Sequence, residues 1–153
     1  MTMSTTQTGH DAALSETERD TLRLVAGHMI PASDAYGVPG ADDPEIFADI
    51  LRSLDRDVEK VREALQVLAQ EELAALEDDA RAARLAAFRA ARPELAGVLE
   101  LAVARCYYRD DRVMTAIGME PRPPFPLGYE VPQGDLALLD PVRARGPIYR
   151  DAG

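Results

Sequence analysis

The sequence has little of the side-chain chemistry on which most enzymes depend. Cys106 is the only cysteine in 153 residues, so the chain can form neither an internal disulfide nor a paired-cysteine metal site. Its two histidines, His10 and His28, occur without a zinc-binding motif such as H-E-x-x-H. The chain contains no glycine-rich phosphate-binding loop, and no histidine is placed to complete a catalytic triad with a serine. We therefore expect no catalytic, cofactor-binding or metal-binding residue in this chain.

The sequence also lacks long apolar runs and targeting signals. No apolar stretch approaches the ~20 residues that a membrane-spanning helix requires. The first residues have neither the basic patch nor the apolar run of a signal peptide. Arg19 is the first arginine and stands alone, so a twin-arginine signal is missing as well. These features predict a cytoplasmic protein that does not insert into a membrane.

Positive charge is scarce. The chain has 17 basic residues, of which only Lys60 is a lysine, against 27 acidic ones, and its formal net charge is −10. Nucleic-acid backbones are bound by clustered lysine and arginine, so we expect no nucleic-acid partner. Residues 42–79 hold thirteen acidic and four basic residues and so carry most of the net charge. We interpret this stretch as a solvated helix face; the alternative is that a stand-alone adaptor or regulatory protein uses it to dock a basic partner.

Residue patterns predict an all-α fold. Ser15 and Glu18 form the signature of a capping box, and the helix that they begin should end before Pro31. Asp43 followed by Pro44 predicts the start of the next helix. Apolar residues at steps of three and four then define one long stripe: Ile46, Ile50, Leu54, Val58, Val61, Leu65 and Leu68.

The stripe loses its phase after Leu68, which predicts separate helices further along the chain. One should run from about Asp79 to Ala91 with Leu85 and Phe88 facing inward. Pro93 should open another, and Gly118 should cap the last helical turn. The helix that begins at Pro93 is predicted to face the core with Leu95, Leu99, Ala102 and Cys106. We predict a disordered N-terminal head at 1–13, a helical bundle domain at 14–118 and an extended arm at 119–153.

Three polar or aromatic residues in the bundle are expected to be structural. His28 ends the first helix, where a histidine commonly interacts with free carbonyls. Tyr107 and Tyr108 are expected in the core, with one hydroxyl reaching a carbonyl of the arm. A minor alternative is an enzyme that uses His28 together with Asp34.

The arm is rich in both proline and large apolar residues. Residues 119–149 contain seven of the eleven prolines, and those at 121–126 exclude a helix or a central strand there. Proline-rich linkers usually carry few large apolar groups. The large apolar residues of this arm are Phe125, Leu127, Tyr129, Val131, Leu136, Leu138, Leu139, Val142, Ile148 and Tyr149. We expect the arm to lie along a surface, either of its own bundle or of a partner protein.

Short motifs in both parts resemble those of one known family. They lie at residues 28–34 (HMIPASD), 39–41 (PGA), 107–108 (YY) with Asp110 and Val113, 117–118 (IG), 123–124 (PP), 126–129 (PLGY), 139–143 (LDPVR), 145–146 (RG) and 149–150 (YR). Together they span roughly residues 18 to 150. The chain resembles the gluconate 2-dehydrogenase subunit 3 family, the small subunits of flavoprotein dehydrogenases of the glucose-methanol-choline (GMC) class.

This resemblance implies a non-catalytic subunit of a hetero-oligomer. In the family the large subunit holds FAD and the site for a sugar, glycoside or polyol, and the small subunit helps it to fold, mature or be exported. In the periplasmic members electrons usually pass on to a haem subunit, so a cytochrome or another electron acceptor is a further expected partner of the complex. Export of this complex would require a signal on the partner, because the chain has no twin-arginine motif of its own. The residues expected to bind the partner are Phe125, Leu127, Tyr129, Leu139, Pro141, Arg143, Arg145, Tyr149 and Arg150.

Overall fold

The computed structural model describes residues 14–128 and 134–146, and in this part of the chain the fold is all-α, as predicted. The chain divides into two compact units, Met1–Pro121 and Arg122–Gly153. The predicted disordered head at 1–13 lies outside the described residues. The α-helices are α1 (Glu16–Met29), α2 (Pro44–Arg52), α3 (Val58–Ala69), α4 (Asp78–Ala91), α5 (Pro93–Tyr107), α6 (Asp111–Ala116) and α7 (Asp140–Ala144). Short 3₁₀ helices occupy Asp55–Asp57, Leu73–Ala75 and Leu136–Leu139.

The predicted capping box begins α1. The Ser15 hydroxyl accepts the backbone N–H of Glu18 at 3.2 Å, and the Glu18 carboxylate accepts the backbone N–H of Ser15 at 2.8 Å. Two backbone donors that the helix leaves without an internal partner are satisfied in this way. The helix ends at Met29, two residues before Pro31, as the sequence predicts.

The long apolar stripe is divided between two helices rather than carried by one. Asp43 caps α2 by accepting the backbone N–H of Glu45 at 3.0 Å, but the helix ends at Arg52. The chain then turns through Asp55, whose φ of +38° is incompatible with a continuous α-helix, before α3 begins at Val58. Ser and Asp are poor residues for a helix interior because their side chains compete for backbone hydrogen bonds. All seven stripe residues are nevertheless buried.

α3 and α5 form the centre of the bundle. α3 packs against α1 and α5, and α5 packs in addition against α2 and α4. The predicted inner face of α5 is confirmed, and Phe88 of α4 is buried beside it, while Leu85 is partly buried. The largest fully buried side chains are Leu22, Ile46, Ile50, Val61, Leu65, Leu68, Val103, Cys106 and Val113. All the buried core residues that the structure describes lie at or before Val113, within the first unit.

Gly118 closes the helical part of the first unit, as predicted. Its φ of +79° is favourable for glycine, and its backbone N–H donates to the carbonyl of Thr115 at 3.0 Å. The N–H of Met119 donates to the carbonyl of Met114 at 2.8 Å, so the last carbonyls of α6 are satisfied.

The second unit is less extended than predicted. Residues 136–144 form a 3₁₀ turn that continues into α7. The Asp135 carboxylate begins this element by accepting the backbone N–H of Ala137 at 3.0 Å. Pro141 lies in the first turn of α7, where its missing N–H costs no helical hydrogen bond. The prediction of an extended ribbon throughout 119–153 was therefore wrong for this segment.

Candidate partner-binding surface

The apolar side chains of the second unit are largely exposed to solvent. Phe125 is 85% exposed, Leu127 81% and Leu138 76%. In the part of this unit that the structure describes, the other exposed large apolar residues are Leu136, Leu139 and Val142. Leaving a phenylalanine or leucine side chain in water rather than burying it costs about 1.5–3 kcal/mol. Several such residues within one short segment are typical of a binding surface.

The segment at 122–128 is held in a compact turn. The Arg122 guanidinium donates to the carbonyl of Gly128 at 2.8 Å, and the N–H of Gly128 donates to the carbonyl of Pro124. Gly128 has a φ of +69°, which permits the chain to close on itself. These contacts order the backbone on either side of Phe125 and Leu127 while both side chains stay exposed. A backbone that is already ordered before binding loses less conformational entropy when a complex forms.

The second predicted cluster lies on and around α7. Pro141, Arg143 and Arg145 are exposed, and the Arg143 guanidinium donates to the Asp140 carboxylate at 3.1 Å. Both members of this pair are more than half exposed, so it contributes little to stability and its arginine can exchange partners. Leu139 is also exposed beside it. Three further predicted partner-binding residues, Tyr129, Tyr149 and Arg150, lie outside the described residues.

The loop between α1 and α2 is fixed to the end of α5. The buried Tyr107 donates its hydroxyl to the carbonyl of Pro39 at 3.2 Å, and the N–H of Ala41 donates to the carbonyl of Ile30 at 2.8 Å. Burial raises the pKa of the Tyr107 hydroxyl, with smaller effects from Tyr108 and Asp110, so it remains a donor at neutral pH. One of the two tyrosine hydroxyls was predicted to reach the arm, and that of Tyr107 donates elsewhere. Its acceptor is in the loop that follows α1.

Gly40 in this loop permits a close approach of the backbone. A Cβ atom at Gly40 would lie 2.4 Å from a carboxylate oxygen of Asp42 and 2.9 Å from the backbone nitrogen of Ala32. Any side chain at this position would therefore displace backbone as well as side-chain atoms. The motif at 39–41 is thus explained by packing within the first unit.

Two arginines after α5 link its end to α2. Arg112 contacts the carboxylates of Asp43 at 2.8 Å and Asp110 at 2.9 Å, and Arg109 contacts that of Asp49 at 2.6 Å. Hydrogen bonds from these guanidinium groups hold the pKa values of all three carboxyls below their usual range. The contacts of Arg112 with Asp43 and of Arg109 with Asp49 could not be predicted from sequence, because the partners lie 69 and 60 residues apart and the segments share no local pattern.

The predicted structural residues differ in their surroundings. Tyr107 is in the core, but Tyr108 is 56% exposed, so the prediction of two core tyrosines was wrong for the second. Their rings meet edge to face with centroids 5.2 Å apart. Consecutive helical residues point about 100° apart, so one core rarely accommodates both.

His28 is exposed at the last turn of α1 and borders an open groove of about 470 Å³. The groove has an apolar floor that includes Leu68 and Leu99, and the ion pair of Arg89 with Glu100 lies at its rim. Asp34 is exposed in the following loop. Within residues 14–128 and 134–146, no cluster of three or more His, Cys, Asp or Glu side chains is arranged to hold a metal ion.

No protein-family model, curated protein or solved structure matches this chain. Among the helices described here, none has the length and apolar character needed to cross a membrane.

Proposed function

We propose that this chain is the non-catalytic small subunit of an FAD-dependent dehydrogenase of the GMC class. The large subunit would bind FAD and oxidise a CH–OH group of a sugar, glycoside or polyol. The chain described here would stabilise that subunit, promote its maturation or hold the complex together, in the manner of a dedicated chaperone within a heterodimer. We place the complex in the cytoplasm, with a cytochrome or another acceptor receiving its electrons. It would reach the periplasm only if the large subunit supplied an export signal.

The observation that carries the proposal is the exposure of the apolar side chains at 125–142. Full burial of Phe125, Leu127 and Leu138 on a partner would contribute about 5–9 kcal/mol before the cost of association is subtracted. The short turn at 122–128 and the 3₁₀–α7 element lower part of that cost, because their backbone is already hydrogen-bonded. The sequence motifs of the small-subunit family include both segments.

The alternative of an acidic adaptor has less support. At least six of the thirteen acidic side chains at 42–79 already have an arginine partner within the chain. They are Asp43, Glu45, Asp49, Glu59, Glu71 and Asp78. These pairs lower the charge available to a basic partner.

Co-expression tests the proposed function. The proposed large subunit is produced with this chain and without it, and its soluble yield, FAD content and activity are measured. We expect yield, flavin content and activity to fall together when the small chain is absent. A large subunit that is equally soluble, equally loaded and equally active alone would exclude the proposal.

Salt dependence then distinguishes the two candidate functions. A complex held by an acidic face should dissociate as ionic strength rises, because salt screens exposed charges. A complex held by apolar side chains should persist under the same conditions.

A further inference from the structure

A second group of exposed apolar residues lies on the bundle itself. In the described part of the first unit the large apolar side chains exposed to solvent are Tyr36, Leu101, Tyr108, Ile117 and Met119. Tyr36 is 80% exposed and is the most exposed of the five. We call these five residues the bundle-end surface.

Four of these residues lie on segments that meet at the C-terminal end of α5, and Leu101 lies about two turns before that end. The hydrogen bond from Tyr107 to Pro39 joins the loop carrying Tyr36 to the end of α5. The contact of Arg112 with Asp43 joins α6 to the start of α2, which directly follows that loop. Leu101 and Tyr108 are seven residues apart on α5 and its C-cap, so they share one face of the helix.

Tyr36 is presented by a rigid turn. Ser33 and Val38 form an antiparallel bridge in which each N–H donates to the other carbonyl, at 3.0 and 3.1 Å. Gly37 completes the turn with a φ of +63°, and its N–H donates to the carbonyl of Asp34 at 3.2 Å. An aromatic side chain on an ordered turn loses little backbone entropy on binding, and tyrosine is enriched among residues that dominate binding energy.

The length of the chain limits the distance between this surface and a protein that binds the arm. Phe125 lies six positions after Met119, and a fully extended segment of that length spans at most ~20 Å. A protein that buries Phe125 therefore has its surface within ~20 Å of Met119. A folded subunit of ordinary size extends well beyond that distance.

We propose that the bundle-end surface is a second docking site for the same large flavoprotein subunit that binds the arm. This inference rests on the proposed function. The large subunit would contact Tyr36 and Tyr108 on the bundle in addition to the apolar residues of the arm. Two linked contacts on one partner raise the overall affinity beyond that of either alone.

The test uses the full chain and the purified FAD-loaded large subunit. Tyr36→Ser and Tyr108→Ser are compared with Tyr36→Phe and Tyr108→Phe, which keep the ring and remove only the hydroxyl. Because both side chains are exposed, all four variants should fold, and far-ultraviolet circular dichroism checks this. We expect each serine variant to raise the dissociation constant about tenfold or more, and each phenylalanine variant to bind within about threefold of wild type.

The arm variant Phe125→Ser separates this inference from the proposed function. If Phe125→Ser weakens binding to the large subunit while Tyr36→Ser and Tyr108→Ser both bind with wild-type affinity, the second docking site is excluded. The proposed function would still stand in that case. If the unmodified chain does not bind the large subunit at all, both proposals fall. Equal weakening by the serine and phenylalanine variants would also overturn the apolar docking inferred here, because it would assign the effect to the hydroxyl groups.

Discussion

Termination of the chain after Pro121 should separate the stability of the bundle from its ability to bind a partner. The truncation removes the entire second unit and leaves the bundle-end surface in place. Among residues 14–128 and 134–146, every buried core residue lies at or before Val113, so truncation leaves this core intact. We expect the free energy of unfolding of the bundle to change by less than about 0.5 kcal/mol, as for changes at exposed sites.

The same truncation should greatly weaken binding to the large subunit. The exposed side chains of Phe125, Leu127 and Leu138 offer about 5–9 kcal/mol of gross burial energy, of which ordering and association take a part. A net loss of about 3 kcal/mol corresponds to an affinity about a hundredfold lower. Urea denaturation followed by circular dichroism gives the first quantity, and calorimetric titration with the large subunit gives the second.

A full-length variant with serine at positions 125, 127 and 138 is the matched control. It keeps the prolines and the backbone of the arm and removes the apolar groups alone. Similar loss of affinity in the two proteins would assign the energy to these side chains. The reasoning is refuted if the truncated chain binds within tenfold of the intact one, or if truncation unfolds the bundle.

Two further predictions concern the first unit. Tyr107→Phe should lower the free energy of unfolding, measured by urea denaturation, by about 0.5–1 kcal/mol, a modest loss because the hydrogen bond to the carbonyl of Pro39 is long at 3.2 Å. Tyr108→Phe should have no measurable effect, because its side chain is exposed. Equal effects of the two substitutions would contradict the difference in burial. The three carboxyls bound by Arg109 and Arg112 have folded pKa values below those of the unfolded chain, so their contribution is complete above about pH 5 and is lost as pH falls through the folded values. Urea midpoints measured from neutral pH down to about pH 3 should therefore fall more steeply in the wild type than in Arg112→Met, and parallel curves would exclude this origin.

Helix ends in this protein could be predicted from sequence where a local chemical signal marks them. The capping box at Ser15, the Asp43–Pro44 start and the cap at Gly118 each act within a few residues, and the structure has all three. The interruption near Asp55 was missed because the apolar stripe continues through it without a change of phase. Periodicity reports which residues face the core and is insensitive to a turn that preserves this orientation.

The candidate site was harder to predict for a different reason. The composition of the arm identifies Phe125 and Leu127 as unusual, but exposure depends on the folded chain and was visible only in the structure. Tyr36 has no special neighbours in sequence, and its prominence comes from the Ser33–Val38 bridge beneath it. The contacts of Arg112 with Asp43 likewise depend on how α6 lies against α2.

The turn between α2 and α3 acts as a corner for the stripe. An uninterrupted helix from residue 44 to residue 69 would be a rod about 39 Å long. The ends of such a rod would extend beyond α5 and lose contact with it. The corner at Asp55 allows α2 and α3 both to pack against α5, with the apolar residues of each helix directed towards the core. Because the corner is not helical, the turn at Asp55 decides which face of α3 meets α5 and so keeps Leu65 and Leu68 in the interior. The conformation of this short corner is consequently a requirement of the fold alongside the apolar residues on either side of it.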